Sequence, residues 1–359
     1  ADAAIARECR TVREHAGMLD ASTLGKIELV GRDALTLLNR IYTNGWDSLA
    51  VGQCRYGLML RDNGVVFDDG VCARLAEHHY VMSTTSGGAM EVEHWLLEWL
   101  QCEWRDLAVF VTPVTAQWAT IAVAGPRARD VLASCKSDID FSASAFPHLA
   151  VRCGHFADVP ARVFRVSFTG ELSYEVNVPA RFGRALWEFL LEHGAPHGIA
   201  PVGLDAIQVL RIEKGYIAVG HDTDGSVTPV DLGMDWIVSR KKGDFIGRRG
   251  LACSDTAREG RGQLVGLLTA DRQHTLREGA QLVAWVDRAR IDRPPVPMLG
   301  HVTSSGASPT LGHSIALALV ENGRARLGER VAAVERGRVV EATIVAPRFF
   351  DSEGTRLHA

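Results

Sequence analysis

Apolar and polar positions along the chain fall into blocks that switch between helical and strand spacing, and the blocks recur in the same order. Charged residues at helical spacing over 4–15 predict an opening helix, with Gly17 as its stop. Lys26-Ile27-Glu28-Leu29-Val30 then alternates as a half-buried strand. Gly31 turns the chain, and Asp33 is placed to cap a helix carrying Leu35, Leu37, Leu38 and Ile41. The same strand-turn-helix pattern returns about 94 positions later, a self-similarity that signals duplication. Ile121 answers Ile27, Val123 answers Leu29, Gly125 answers Gly31, Ala128 answers Ala34 and Leu132 answers Leu38. A duplicated α+β unit is expected.

Between the two copies, strands at 56–60 and 65–75 are joined through Asp62-Asn63-Gly64, whose Asn-Gly pair marks an antiparallel hairpin. A strand at 80–84 follows. Val92, Trp95, Leu96 and Trp99 stand at helical spacing within a helix over 90–99. In the second copy, strands at 163–168 and 174–178 flank Thr169-Gly170-Glu171, with helices at 180–193 and 204–214. Charged, Gly-containing sequence over 254–262 reads as a linker. Beyond it, short β-type runs at 264–268, 281–286, 315–320 and 339–344 predict a small C-terminal β-barrel or sandwich. The expected class is α+β, with residues 1–253 in two related halves near 1–114 and 115–253 and a barrel over 262–350. The absence of long βαβ crossovers argues against a doubly wound sheet.

Composition narrows the chemistry. A formal net charge of −4 gives no general attraction to nucleic acid or to an anionic membrane surface, and no apolar run approaches the length of a membrane span. Seven scattered cysteines, with no Cys-x-x-Cys, suggest reduced thiols in the cytoplasm and no cysteine zinc site. A start at Ala1 rather than Met suggests a processed product or a fragment of something longer. The phosphate cradles of dinucleotide and P-loop proteins are missing. Ser239-Arg240-Lys241-Lys242 matches Ser-x-x-Lys without the companion motifs of a penicillin-type site, and Asp222-Thr223-Asp224-Gly225-Ser226 lacks glycine at the sixth place of a calcium loop. The basic run through Arg248 and Arg249 reads as a solvated face.

Two adjacent carboxylates close the predicted hairpin, Asp68 and Asp69, and on a strand they point to opposite faces. Taken alone such a pair is more often structural than catalytic, and so are Glu171 and Glu175 beside a Thr-Gly turn. Their order along the chain changes the reading. Arg13-Glu14-His15-Ala16-Gly17-Met18-Leu19-Asp20, Tyr56-Gly57-Leu58-Met59-Leu60, Asp68-Asp69, Phe168-Thr169-Gly170-Glu171-Leu172-Ser173-Tyr174-Glu175, Leu210-Arg211-Ile212-Glu213, Asp244-Phe245-Ile246-Gly247 and Gly300-His301-Val302-Thr303-Ser304 together resemble the glycine-cleavage T-protein superfamily. Ser22-Thr23-Leu24-Gly25-Lys26, Glu213-Lys214-Gly215-Tyr216 and Gly220-His221-Asp222-Thr223-Asp224-Gly225 are closer to the C-terminal half of the α subunit of heterotetrameric sarcosine oxidase.

That resemblance implies two related α+β halves, a small β-barrel and a central channel for tetrahydrofolate. By it, Asp68 is the essential acid near folate N10, Glu175 holds the pterin, and Tyr56 and Phe168 supply aromatic walls, with Asp69 structural. The implied activity is acceptance of the one-carbon unit released on oxidation of an N-methyl amine, giving 5,10-methylenetetrahydrofolate. Flavin oxidation is implied to lie elsewhere, with FMN near a subunit interface and a flavoprotein β subunit as partner. A free-standing aminomethyltransferase or folate-dependent demethylase is the second reading, and a non-catalytic folate-binding or assembly domain the third. Three positions depart from the T-protein pattern: Phe168 stands for Tyr, Ile207 for an Arg expected at the folate tail, and Gly306-Ala307 for the aromatics of sarcosine oxidase.

Overall fold

A computed structural model describes residues 2–293 and 295–359. Helix α1 (Asp2–Glu14) and strand β1 (Ala16–Asp20) open the chain. The first copy of the repeat runs β2 (Gly25–Val30), α2 (Ala34–Ile41), β3 (Cys54–Leu60), β4 (Val66–Ala76), β5 (His79–Thr84), α3 (Ala89–Cys102) and β6 (Phe110–Pro113). The second runs β7 (Trp118–Ala124), α4 (Ala128–Ser134), β8 (Val151–Phe156), β9 (Val159–Phe164), β10 (Ser173–Pro179), α5 (Gly183–Gly194) and β11 (Ile199–Pro201). Helix α6 (Leu204–Lys214) follows and leads through irregular chain to the last unit.

The duplication is explicit in the sheets. The first has order β3-β4-β5-β2-β6, and the second places β8-β9-β10-β7 in the corresponding order. Gly31 and Gly125 occupy equivalent turns at φ +148° and +137°, where an added Cβ would fall 2.2 Å from Ala108 O and 2.3 Å from His15 O. Only glycine suits both the backbone angle and that approach. One strand crosses between the halves. Strand β1 does not belong to the first half: it lies between β7 and β11 in the second sheet, antiparallel to the one and parallel to the other. Residues 16–20 thus complete the later sheet, while β2–β6 and β7–β11 otherwise pass from one sheet to the other between Pro113 and Trp118.

Local differences have local causes. Asp33 makes no side-chain cap on α2; its carboxylate instead accepts the Ala108 N–H at 2.8 Å, tying the helix entry to the approach of β6. The strand expected over 163–168 ends at Phe164, because Arg165 turns away to donate to Phe146 O at 2.6 Å. The C-terminal unit is a closed barrel of order β12-β15-β14-β13-β16-β17, built from β12 (Gly262–Thr269), β13 (Gln281–Ala284), β14 (Met298–Ser308), β15 (His313–Glu321), β16 (Arg330–Glu335) and β17 (Arg338–Val345).

Each sheet carries its helices on one face. Ile27, Leu29, Met59, Cys72 and Met82 pack under α2 and α3, and Ile121, Val123, Tyr174 and Val176 pack under α4 and α5. The opposite faces meet one another through Cys54, Ala73, Val81, Val151, Phe164 and Val166. Nearby, Leu58 and Leu60 pack with Ile212 of α6 and Leu317 of the barrel. The three units thus converge on the inner face of the first sheet. Arg13 of α1 ties the second half to α6: it donates to Glu171 and Glu213 at 2.6 Å each, and Arg356 completes Glu171 at 2.7 and 2.8 Å.

Candidate active site

A narrow cavity of about 30 Å³ lies between the two inner sheet faces. Val71, Val81, Ser83 and Lys26 line it from the first sheet; Trp118, Thr120, Phe164, Glu175 and Asn177 line it from the second. The parity of each strand dictates this. On β10, Tyr174 and Val176 go to the helix-covered core, so Glu175 and Asn177 must face inward. On β2, Ile27 and Leu29 go to the core, which turns Lys26 and Glu28 toward the other sheet.

The carboxylate of Glu175 has no hydrogen-bond partner among the described residues, and burial pushes its pKa up to about 7 against the opposing charge of Lys26. A half-buried acceptor left open is complementary to a ligand that brings paired N–H donors. Asn177 is not free in that way, since Thr120 Oγ1 donates to its Oδ1 at 2.6 Å.

The aspartate pair divides as strand geometry requires. Asp69 shares the inner face with Val71, one pleat repeat or ~7 Å along β4. Its Oδ2 accepts the Tyr56 hydroxyl at 2.6 Å, a diagonal contact across the β3-β4 ladder, where Tyr56 opposes Val71 and Leu58 opposes Asp69. Asp68 opposes Met59, on the helix side. It is 1% exposed, with Oδ1 accepting the Asp69 N–H at 2.9 Å and Oδ2 accepting the Thr85 N–H at 3.3 Å, beneath Gly88 at the start of α3. Neither carboxylate is among the residues that line the cavity.

Both acids are perturbed. Burial raises Asp69 to about 6, the Tyr56 hydrogen bond working against it; burial and then the charge of Asp69 raise Asp68 to about 7. Tyr56 itself is pushed well above the ordinary tyrosine value by burial and by Asp69, so it stays a donor. Phe168 departs from expectation: it sits in the loop after β9, is 41% exposed and does not line the cavity. The aromatic wall is Trp118, against whose ring the Arg162 guanidinium lies at 4.2 Å. Glu171, the other acid of the Thr-Gly turn, is consumed by Arg13 and Arg356. Lys26 is a cavity residue that reading the sequence for site chemistry passed over, although it ends the stretch Ser22–Lys26 that carried part of the resemblance.

This architecture has known counterparts. Residues 1–242 match the GCVT N-terminal domain, and residues 263–351 match the glycine cleavage T-protein C-terminal barrel domain. The chain belongs to the glycine-cleavage T-protein family. Within that family it is 49% identical over 356 residues to the sarcosine oxidase subunit alpha of Corynebacterium sp. (strain P-1), covering 99% of this chain and 36% of the relative. It spans about a third of the length of such relatives. The aminomethyltransferase of Symbiobacterium thermophilum is 34% identical over 358 residues, covering 98% of this chain and 91% of that protein. The crystal structure of the glycine cleavage system aminomethyltransferase T from Bartonella henselae superposes with a TM-score of 0.83 at 25% identity, covering 97% of this chain and 90% of the other. The T-protein fold, two related α+β halves and a barrel, is thus established. No helix among the described residues is long and apolar enough to cross a membrane.

Proposed function

We propose that this T-protein-family chain is the tetrahydrofolate-dependent one-carbon acceptor module of a sarcosine oxidase-like enzyme, forming 5,10-methylenetetrahydrofolate from the unit released on N-demethylation. One observation carries the reading: an inter-sheet cavity lined by the unpartnered carboxylate of Glu175, with the hydroxyl-anchored carboxylate of Asp69 one pleat repeat along β4 from the lining residue Val71. Tetrahydrofolate supplies the nitrogen nucleophiles that take up the one-carbon unit. Glu175 would hold the donor edge of the pterin, and Trp118 would cover a ring face. Asp69 would take the proton lost from the attacking nitrogen; with its pKa near 6 it is mostly ionised at neutral pH yet basic enough to accept. Tyr56 keeps that carboxylate oriented by donating to one oxygen and leaving the other open. Asp68, through the Asp69 N–H, positions the backbone.

The flavin chemistry, an FMN contact at a subunit interface and a flavoprotein β subunit as partner belong to the same proposal, supported by the length of the sarcosine oxidase relatives beyond the matched third. Free thiols at all seven cysteines fit a cytoplasmic site of action. Boundaries at 1–253 for the folate module and 262–350 for the barrel are proposed likewise. The near full-length match to an aminomethyltransferase keeps a free-standing aminomethyltransferase as the second reading. Co-purification with a flavoprotein separates the two.

The decisive test combines calorimetric binding of tetrahydrofolate with rapid-quench measurement of its coupling to formaldehyde. Asp69→Asn should bind folate and lose about 100- to 10,000-fold in coupling, the usual worth of a general base. Asp68→Asn should lose less than about tenfold. The inverse ranking would return the role to Asp68, and a wild-type chain that binds no folate would end the proposal.

A further inference from the structure

Lys26 and Glu28 project from β2 toward the second sheet, and what meets them there differs. At the Glu28 rung the gap is closed: Arg162 Nη1 donates to Glu28 Oε1 at 2.6 Å, and Arg162 stands opposite Asn177 in the β9-β10 pairing. Two residues back along both strands, at Lys26 and Glu175, opposite charges line one cavity and form no ion pair. The Lys26 ammonium is held short of that contact, donating to Ser22 O at 3.0 Å and Leu24 O at 2.9 Å. Two of its three protons are thus used, and the third has no partner among the described residues. The side chain is only 6% exposed. A buried ammonium with a spare donor and a carboxylate with spare acceptors, held apart between sheets, are the two ends of a ligand that offers donors on one side and an acceptor beside them.

A 2-amino-4-oxopteridine has that edge. Its amino group and adjacent ring N–H are paired donors, and its ring carbonyl oxygen is the neighbouring acceptor. Resting on the folate reading above, we infer that Lys26 donates to the ring carbonyl oxygen of the bound pterin while Glu175 accepts from the neighbouring donors, so that Lys26 selects 4-oxo over 4-amino rings. A 4-amino ring would turn a donor toward the ammonium and leave that proton unmatched, which a dry polar site rejects strongly. Burial lowers the Lys26 pKa, and the charges of Glu175 and Asp20 oppose the fall.

The test is calorimetric titration of the 359-residue chain and of Lys26→Met with tetrahydrofolate and with its 4-amino analogue. Loss of a charge-assisted hydrogen bond should weaken tetrahydrofolate binding by about ten- to a hundredfold and leave the 4-amino analogue little changed, so the affinity ratio falls by the same factor. Because the ratio is internal to the folded fraction, any destabilisation from losing the Ser22 and Leu24 contacts does not enter it. Lys26→Met with the wild-type ratio would overturn the inference while sparing the folate reading. A wild-type chain that fails to bind tetrahydrofolate would overturn both.

Discussion

Removing the charge of Glu175 should change how stability depends on pH. Its carboxyl is raised from an ordinary 4.5 to about 7 by burial. At 1.36 kcal/mol per pKa unit that shift corresponds to about 3 kcal/mol, and because the side chain is half-buried rather than fully enclosed we discount this to about 1–2 kcal/mol. The sign follows from the raised folded-state value. Stabilisation is fully present below pH ~4.5 and is lost as pH rises through about 7, since the unfolded chain gives up its proton earlier. Glu175→Gln carries no titration, so wild type should lose about 1–2 kcal/mol relative to the variant between about pH 5 and pH 8. Urea denaturation of both proteins at the two pH values measures this directly, and tetrahydrofolate should narrow the difference by giving the carboxylate its missing donors. Parallel pH profiles, within about 0.3 kcal/mol, would show that the carboxyl is not desolvated and would remove the electrostatic basis for the pterin site.

Further expectations concern the framework. Arg13→Met leaves Glu213 without a cation in the interior and Glu171 with Arg356 alone, and should cost about 3–5 kcal/mol by chemical denaturation, whereas Arg356→Met, which leaves both carboxylates their Arg13 partner, should cost less. Gly31→Ala and Gly125→Ala each force a Cβ against a carbonyl at positive φ and should each destabilise by more than about 1 kcal/mol; a neutral effect at either would break the equivalence of the two turns.

Much of the frame was readable because the signals are local. Asn63-Gly64 announces the β3-β4 hairpin, and Gly31 and Gly125 mark the repeat since a close backbone approach leaves no alternative. What reading missed is tertiary. A lysine alternating with Ile27 and Leu29 looks like a solvent-facing position, and only the second sheet converts Lys26 into a cavity residue. That Asp68 and Asp69 face apart was legible, but which of them faces inward was not. The pairing slips between Met59 and Leu60, so parity counted from the apolar run 65–67 does not carry through to 68 and 69. Phe168 has the residue type of a ring-stacking wall, while the strand expected to carry it ends four residues earlier.

The seat of β1 between β7 and β11 has a consequence for how the molecule is made. Residues 16–20 leave the ribosome before their partners at 121–124 and 199–201, which follow roughly 100 and 180 residues later, at 5–20 residues per second about 5–40 s of waiting. During that time the strand is an unpaired ribbon, and the second sheet cannot close until this earlier segment is threaded into it. The two copies are therefore not separable modules: a gene split at the repeat would give one product with an orphan strand and another with a slot where that strand belongs.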